Sequence, residues 1–211
     1  YTVRRKRSEA QGKLRGRAVA CYLEVTADKV TEMGGLRFEP DGRVTMITGT
    51  CDYGQGHAST FAQIMHDRLG LPFDRIDLLQ KDSDQLTAGG GSGGSRSVMN
   101  SSMALLAAAD EVETKARKWA AHTLEAPEQD LVLQDGHFTV VGTDRRVSLL
   151  AVARTARESG PVAGLPEDID ASLDVEGAPS AFPNGVHYCE LEVDPATGVV
   201  TVDRYVSVND F

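Results

Sequence analysis

Apolar and polar positions divide this chain into stretches of two different periods. Over residues 57–69, Phe61, Ile64, Met65 and Leu69 recur at helical spacing and Gly70 follows as a stop, which predicts a helix. A longer helix is predicted from Ser97 to about Leu124, with Met99, Met103, Leu106, Val112, Ala116 and Trp119 as its apolar set. Its run Ala107-Ala108-Ala109 predicts close packing against a neighbour. Partial alternation with β-branched residues predicts strands over 16–27, 36–39 and 43–48. Pro40-Asp41-Gly42 turns the chain between the last two, since Pro presets φ and Gly accepts positive φ. Short strands follow over 75–80 and 172–176, with a hairpin of 131–133 and 137–141 across Asp135-Gly136. A helix over 148–157 starts on a Ser148 cap, and a long hairpin of 186–193 and 199–208 turns around residues 194–198.

Strands and helices are segregated rather than strictly alternating, so the predicted class is α+β. The expected architecture is mixed and antiparallel sheets with packed helices, a two-layer α/β sandwich. Residues 1–15, with the run Arg4-Arg5-Lys6-Arg7, read as a basic leader or connector in a solvated helix. Residues 16–211 form the body, with two α+β subdomains of about 16–125 and 126–211. The chain starts on Tyr1 without Met and stops on a strand, so it is expected to be a piece of a longer protein.

Composition narrows the function classes. A net charge of −9 excludes a broad basic face for nucleic acid. No apolar stretch approaches the ~20 residues of a membrane span, and no apolar segment follows the basic start as in a signal peptide. Cys21, Cys51 and Cys189 form no CxxC pair, so they read as buried free thiols in a reducing cytosol. Their spacing fits neither zinc nor an iron–sulfur cluster.

Eight of the 21 glycines fall in two loops that each follow a strand and open a helix. The first is Gly49-Thr50-Cys51-Asp52-Tyr53-Gly54-Gln55-Gly56-His57. Glycines there let a polar ligand approach backbone N–H groups at a helix start, and Gln55 offers both a donor and an acceptor. The second is Ala88-Gly89-Gly90-Gly91-Ser92-Gly93-Gly94-Ser95-Arg96-Ser97. Its N–H groups, hydroxyls and guanidinium suit a phosphate or pyrophosphate. Neither loop spaces as GxxxxGK[ST] or GxGxxG. Residues 54–56 and 92–97 are expected to face one cleft. A flexible-linker origin of the glycines predicts no such convergence.

The segment Gly54-Gln55-Gly56-His57-Ala58-Ser59-Thr60-Phe61-Ala62-Gln63-Ile64, with Leu69-Gly70-Leu71-Pro72, Asp82-Ser83-Asp84 and Gly91-Ser92-Gly93-Gly94-Ser95-Arg96-Ser97, resembles the xanthine dehydrogenase/aldehyde oxidase family. It is most similar to large subunits of the bacterial carbon-monoxide dehydrogenase type. The resemblance makes 16–211 a molybdenum-cofactor-binding region for molybdopterin cytosine dinucleotide. It implies cofactor contacts at Gly54, Gln55 and Gly56 near the pterin, and at Ser92, Gly93, Gly94, Ser95, Arg96 and Ser97 near pterin and phosphates. It also implies a cytoplasmic molybdenum hydroxylase whose FAD sits on a medium subunit and whose 2Fe-2S clusters sit on a small subunit, both partnering the remainder of the large subunit. The metal is held by the cofactor, and the general-base Glu of such subunits falls beyond residue 211, so no catalytic or metal-ligating residue is assigned and the isolated piece is expected to be inactive. Two departures stand out: Lys81 replaces a usual Gly, and Gly89-Gly90-Gly91 replaces a Pro-containing stretch.

Two other functions compete. One is a non-catalytic interaction domain with glycine-rich linkers; the other is a hydrolase using Ser92 or Ser95, which lacks a GxSxG elbow. His57 is expected as a helix-start cap or surface residue, and His66, His122, His137 and His187 form no ligand spacing. Asp52 and Asp82 are expected to bond local backbone, and Met99 and Met103 to sit in the core.

Overall fold

The computed structural model describes residues 1–26, 30–177 and 179–210. The elements run α1 (Thr2–Ala10), β1 (Leu14–Leu23), β2 (Thr31–Phe38), β3 (Val44–Thr48), α2 (His57–Leu69), β4 (Ile76–Leu79) and α3 (Ser97–Leu124). There follow β5 (Leu131–Gln134), β6 (His137–Val140), β7 (Arg146–Ser148), α4 (Leu149–Ser159), β8 (Ala171–Glu176), β9 (Asn184–Val193) and β10 (Val200–Asp210). The class is α+β, as the pattern predicts. β7 is the strand that the pattern does not show; it has only three residues, Arg-Val-Ser. The part of the predicted first strand at 27 lies outside the described residues.

Contacts divide the chain into two units, 1–26 with 180–211, and 27–179. The boundary expected near residue 125 therefore falls inside the second unit. The reason is α3, whose far half buries Ala116, Trp119 and Ala120 in one core with Leu131, Phe138, Leu149 and Val152 from the elements after it. Residues 1–15 are no separate leader either, since α1 and β1 belong to the first unit.

In the second unit, strands order β4-β3-β2-β8, with β3 parallel to β4 and the other pairs antiparallel. Leu36, Phe38 and Met46 of this sheet share a core with Phe61, Met65 and Leu69 of α2 and Leu105, Ala108, Ala109 and Val112 of α3. Gly34 lets β2 approach the helix backbone: a Cβ there would lie 2.1 Å from the Ala104 carbonyl oxygen. The small antiparallel sheet β5-β6-β7 and α4 complete the unit, and Trp119 Nε1 donates to the Pro166 carbonyl at 2.9 Å, so the buried indole is satisfied. Ser148 caps α4, its Oγ accepting from the Ala151 N–H at 3.2 Å.

In the first unit, β9 lies between β1 and β10, antiparallel to both. The basic run is more than a solvated face. Arg4 donates from two nitrogens to both oxygens of Glu190 at 2.7 Å each, and Glu190 is fully buried. Arg15 reaches Glu190, Glu192 and Asp203 at 2.8, 3.2 and 3.0 Å. The cysteines are free, but none is buried: Cys21 is exposed and Cys51 and Cys189 are half-buried. Cys21 and Cys189 fall on a three-stranded sheet, where the exposed stretches include most of β1 and all of β10.

Candidate functional site

The parallel pairing of β3 and β4, in register from Val44–Ile76 to Ile47–Leu79, decides where the glycines go. Parallel neighbours end on the same side, so the loops after them, and the helices those loops open, leave one edge of the sheet together. The first loop starts α2 and the second starts α3.

The loops are clasped backbone to backbone. A Cβ on Gly49 would lie 2.3 Å from the Ala88 carbonyl oxygen and 2.4 Å from Gly89 Cα. The Gly91 N–H donates to the Gly49 carbonyl at 3.3 Å. Ser92 Oγ donates to the Cys51 carbonyl at 2.5 Å and accepts from the Cys51 N–H at 3.1 Å. Ser97 Oγ donates to Ser92 Oγ at 3.0 Å, and Gln55 Nε2 reaches it at 3.5 Å. Ser92 is thus a stitch between loops. Its partners include no base, which removes the nucleophile reading for it. The clasp likewise speaks against the glycines as linkers.

Within the first loop, Asp52 does what a turn carboxylate does. It accepts from the N–H groups of Gly54 at 2.7 Å and His57 at 2.9 Å, and these bonds hold its pKa below the ordinary value. Gly54 and Gly56 take φ of 110° and 81°, which only glycine adopts without cost. The Gln55 amide is used locally: Oε1 accepts from the Tyr53 N–H at 2.6 Å and Nε2 donates to the Cys51 carbonyl at 2.9 Å. Lys81, in place of the usual Gly, nevertheless takes φ 67°. Its ammonium bonds the Asp52 carbonyl and lies 4.9 Å from the Tyr53 ring centre, ties that hold the left-handed turn.

In the second loop, Gly94 and Ser95 take consecutive left-handed φ of 57° and 59° just before α3. No side chain caps α3, and its first turn holds no acid. Its leading N–H groups therefore keep their positive partial charge uncovered by protein carboxylate. Arg96 turns its guanidinium back onto the Gly90 and Gly91 carbonyls, bracing the loop. Between the loops lies a cleft of about 290 Å³ lined by Gln55, His57, Thr60, Ser95, Ser97 and Val98. Of the residues expected to face one cleft, Gln55, Ser95 and Ser97 line this one.

Beneath the loops is a polar layer that sequence reasoning missed. Gln80 Nε2 reaches Thr48 Oγ1 at 2.8 Å, Thr50 Oγ1 at 2.9 Å and His57 Nδ1 at 3.2 Å, while its Oε1 accepts from the Asp52 N–H at 2.9 Å. Thr50 Oγ1 continues to Ser101 Oγ at 3.0 Å. His57 is buried rather than a surface cap, its ring 5.0 Å from that of Phe61. The alternation Thr48-Gly49-Thr50 at the end of an apolar strand was the available signal. Of the other histidines, His66 bonds the Leu71 carbonyl and His137 the Asp135 carbonyl nearby in sequence, while His187 bonds the Tyr205 hydroxyl across the sheet. Asp82 accepts from the Asp84 N–H at 3.0 Å. Asn100 is buried in the first turns of α3, and Met103 is exposed rather than in the core.

The family model described as the molybdopterin cofactor-binding domain matches residues 1–211. The carbon monoxide dehydrogenase large chain of Hydrogenophaga pseudoflava is 34% identical over 83% of this chain and 22% of its own length. The 6-hydroxypseudooxynicotine dehydrogenase complex subunit gamma of Paenarthrobacter nicotinovorans is 37% identical over 90% and 25%. Among solved structures, CO dehydrogenase from Oligotropha carboxidovorans superposes with a TM-score of 0.85 at 26% identity, over 100% of this chain and 29% of that one. Quinoline 2-oxidoreductase from Pseudomonas putida 86 gives the same score and identity over 99% and 28%. The chain spans about a quarter of the length of the curated relatives it matches.

Proposed function

The chain belongs to the molybdopterin cofactor-binding domain family, of the xanthine dehydrogenase and carbon monoxide dehydrogenase type, and on that premise we propose that its two clasped loops hold molybdopterin cytosine dinucleotide in the large subunit of a molybdenum hydroxylase. The observation that carries this reading is the cleft where Gln55 and His57 from one loop and helix meet Ser95, Ser97 and Val98 from the other. The donor set fits such a ligand. A pterin nucleotide has polar heterocycle edges and an anionic pyrophosphate. The start of a 28-residue helix with no cap offers N–H groups for the anion, and Ser95 and Ser97 add hydroxyls. At Gly54, Gly56 and Gly93 a Cβ would meet nothing within 4 Å, so the backbone is open to close approach there.

When bound, the cofactor would supply the redox chemistry of the metal. The residues of this chain bind and orient it. Asp52, Gln80 and Ser92 fix the loop backbones, while Gly54, Gln55, Gly56 and residues 93–97 present donors. The Gln55 amide and the Arg96 guanidinium act mainly by shaping the loops, because both are engaged with loop backbone. The whole subunit would oxidise a carbon centre or a small gas, with electrons leaving to 2Fe-2S and FAD partner subunits. A cytoplasmic setting belongs to the same reading, supported by three free thiols.

The test is release and mass analysis of pterin nucleotide from the full-length subunit. Ser95→Ala should lower cofactor affinity by about twofold to tenfold, the worth of one hydrogen bond, and Gly94→Val should abolish occupancy. Full pterin and molybdenum occupancy in folded Gly94→Val would overturn the placement; a nucleotide other than cytosine would correct the cofactor form.

A further inference from the structure

Glu32 lies sealed beneath both glycine-rich loops, fully buried, and neither carboxylate oxygen has a hydrogen-bond partner. It stands on β2 opposite Val175 of β8. Two residues on, Gly34 pairs with Thr48 and touches Ala104, so this face of the strand looks at α3 and the loop bases. A Cβ on Gly49 would lie 2.7 Å from Glu32 Oε1. The backbone N–H groups of Gly49 and Thr50 from the first loop and of Gly90 from the second are turned toward the carboxylate, and Arg96 attracts it. Burial outweighs those attractions and pushes its pKa up to about 7.

A buried acid without partners is costly, and such a group in a native fold calls for an explanation. We propose that Glu32 is a positioning residue that sets how tightly the two loops close: protonated, it lets them seal over it, and ionised, its buried charge, which has no hydrogen-bond partner, opens them to admit water. Among the described residues, Arg96 is the charged group that faces it from the second loop and α3. Val175 on β8 and Thr48 on β3 carry no charge on this face. Asp52 in the first loop is engaged by Gly54 and His57, and the His57 ring by Gln80. The inference rests on the clasped geometry of the loops and not on which ligand they hold.

Hydrogen exchange on the full-length subunit, prepared without cofactor, tests it. Protection of peptides spanning residues 48–51 and 88–92, normalised to intrinsic exchange, should fall about tenfold from about pH 5.5 to about pH 8.5, as ionisation of the sealed carboxyl favours the open loops. Peptides from the α3 core should stay flat and report that the fold is intact. Glu32→Gln keeps the shape and loses the charge, so its profile should be flat across the same range. A purely structural side chain would not move the profile. A flat or rising wild-type profile, or a Glu32→Gln profile that still falls, overturns the proposal, and the wild-type titration decides alone should the variant not fold. A falling profile in a protein that releases no pterin nucleotide would support the role of Glu32 while the cofactor reading fell.

Discussion

The glycines of the two loops serve two different physical ends, and composition alone does not separate them. Gly54 and Gly56 are glycines for their dihedral angles, since φ is positive and the space beside them is open. That use is local, and a strand-to-helix loop with alternating glycines announces it. Gly49 and Gly89 are glycines for contact, because each would drive a Cβ to 2.4 Å from the other's Cα. That use depends on a partner 40 positions away and cannot be read from either segment. The same holds for Glu32, an acid in an apolar strand whose meaning comes from the loops above it. Gly49→Ala should therefore part the loops even though its backbone angles suit alanine. Limited proteolysis of the full subunit should show faster cleavage within 88–95 than in the wild type, and an unchanged cleavage rate would contradict the clasp.

At the scale of elements, periodicity was sufficient wherever a helix or strand has one buried side. The helix predicted over 57–69 and the one from Ser97 to about Leu124 both stand with those bounds. The Ala107-Ala108-Ala109 run does pack closely, with Ala108 and Ala109 fully buried. What periodicity lacked was the first part of β2, predicted over 36–39 and found over Thr31–Phe38, where Gly34 meets Ala104. It also missed β7, which is too short to show a period. Gly34→Val would overfill this contact, where a backbone carbonyl cannot rotate away. The cost should reach about 1–3 kcal/mol or more, read as a lower denaturation midpoint. Gly16, with nothing within 4 Å of its would-be Cβ, is the matched control: Gly16→Val on β1 should leave the midpoint within about 0.5 kcal/mol of wild type.

For the whole molecule, two groups of carboxylates set opposite pH dependences. Glu190 is held well below the usual carboxylate range, first by its hydrogen bond to Arg4, and Glu192 is pulled down to about 2, first by Lys13. Their folded pKa values lie below the unfolded ones, so their contribution is complete above about pH 4.5 and is lost as pH falls toward 2. Glu32 is shifted the other way, to about 7, so it favours the fold at low pH and disfavours it as pH rises from about 4.5 to 7. Acid should therefore loosen the first unit before the second. Pepsin at about pH 3 should cut within 1–26 and 180–210 while 30–177 resists; the reverse order would refute the ion-network account. The division into these units was not legible from the chain order, because the first is assembled from both ends. That assembly has a consequence for synthesis. β1 is complete at Leu23, yet β9, which it must pair with, begins 161 positions later at Asn184. At the usual pace of a ribosome, about 5–20 residues per second, the nascent β1 waits on the order of ten seconds with its backbone donors and acceptors unpaired. Meanwhile the intervening segment, a compact unit by itself, can fold before β1 is paired. Because β1 emerges before the second unit yet pairs after it, its backbone edges stay open to wrong partners until β9 arrives.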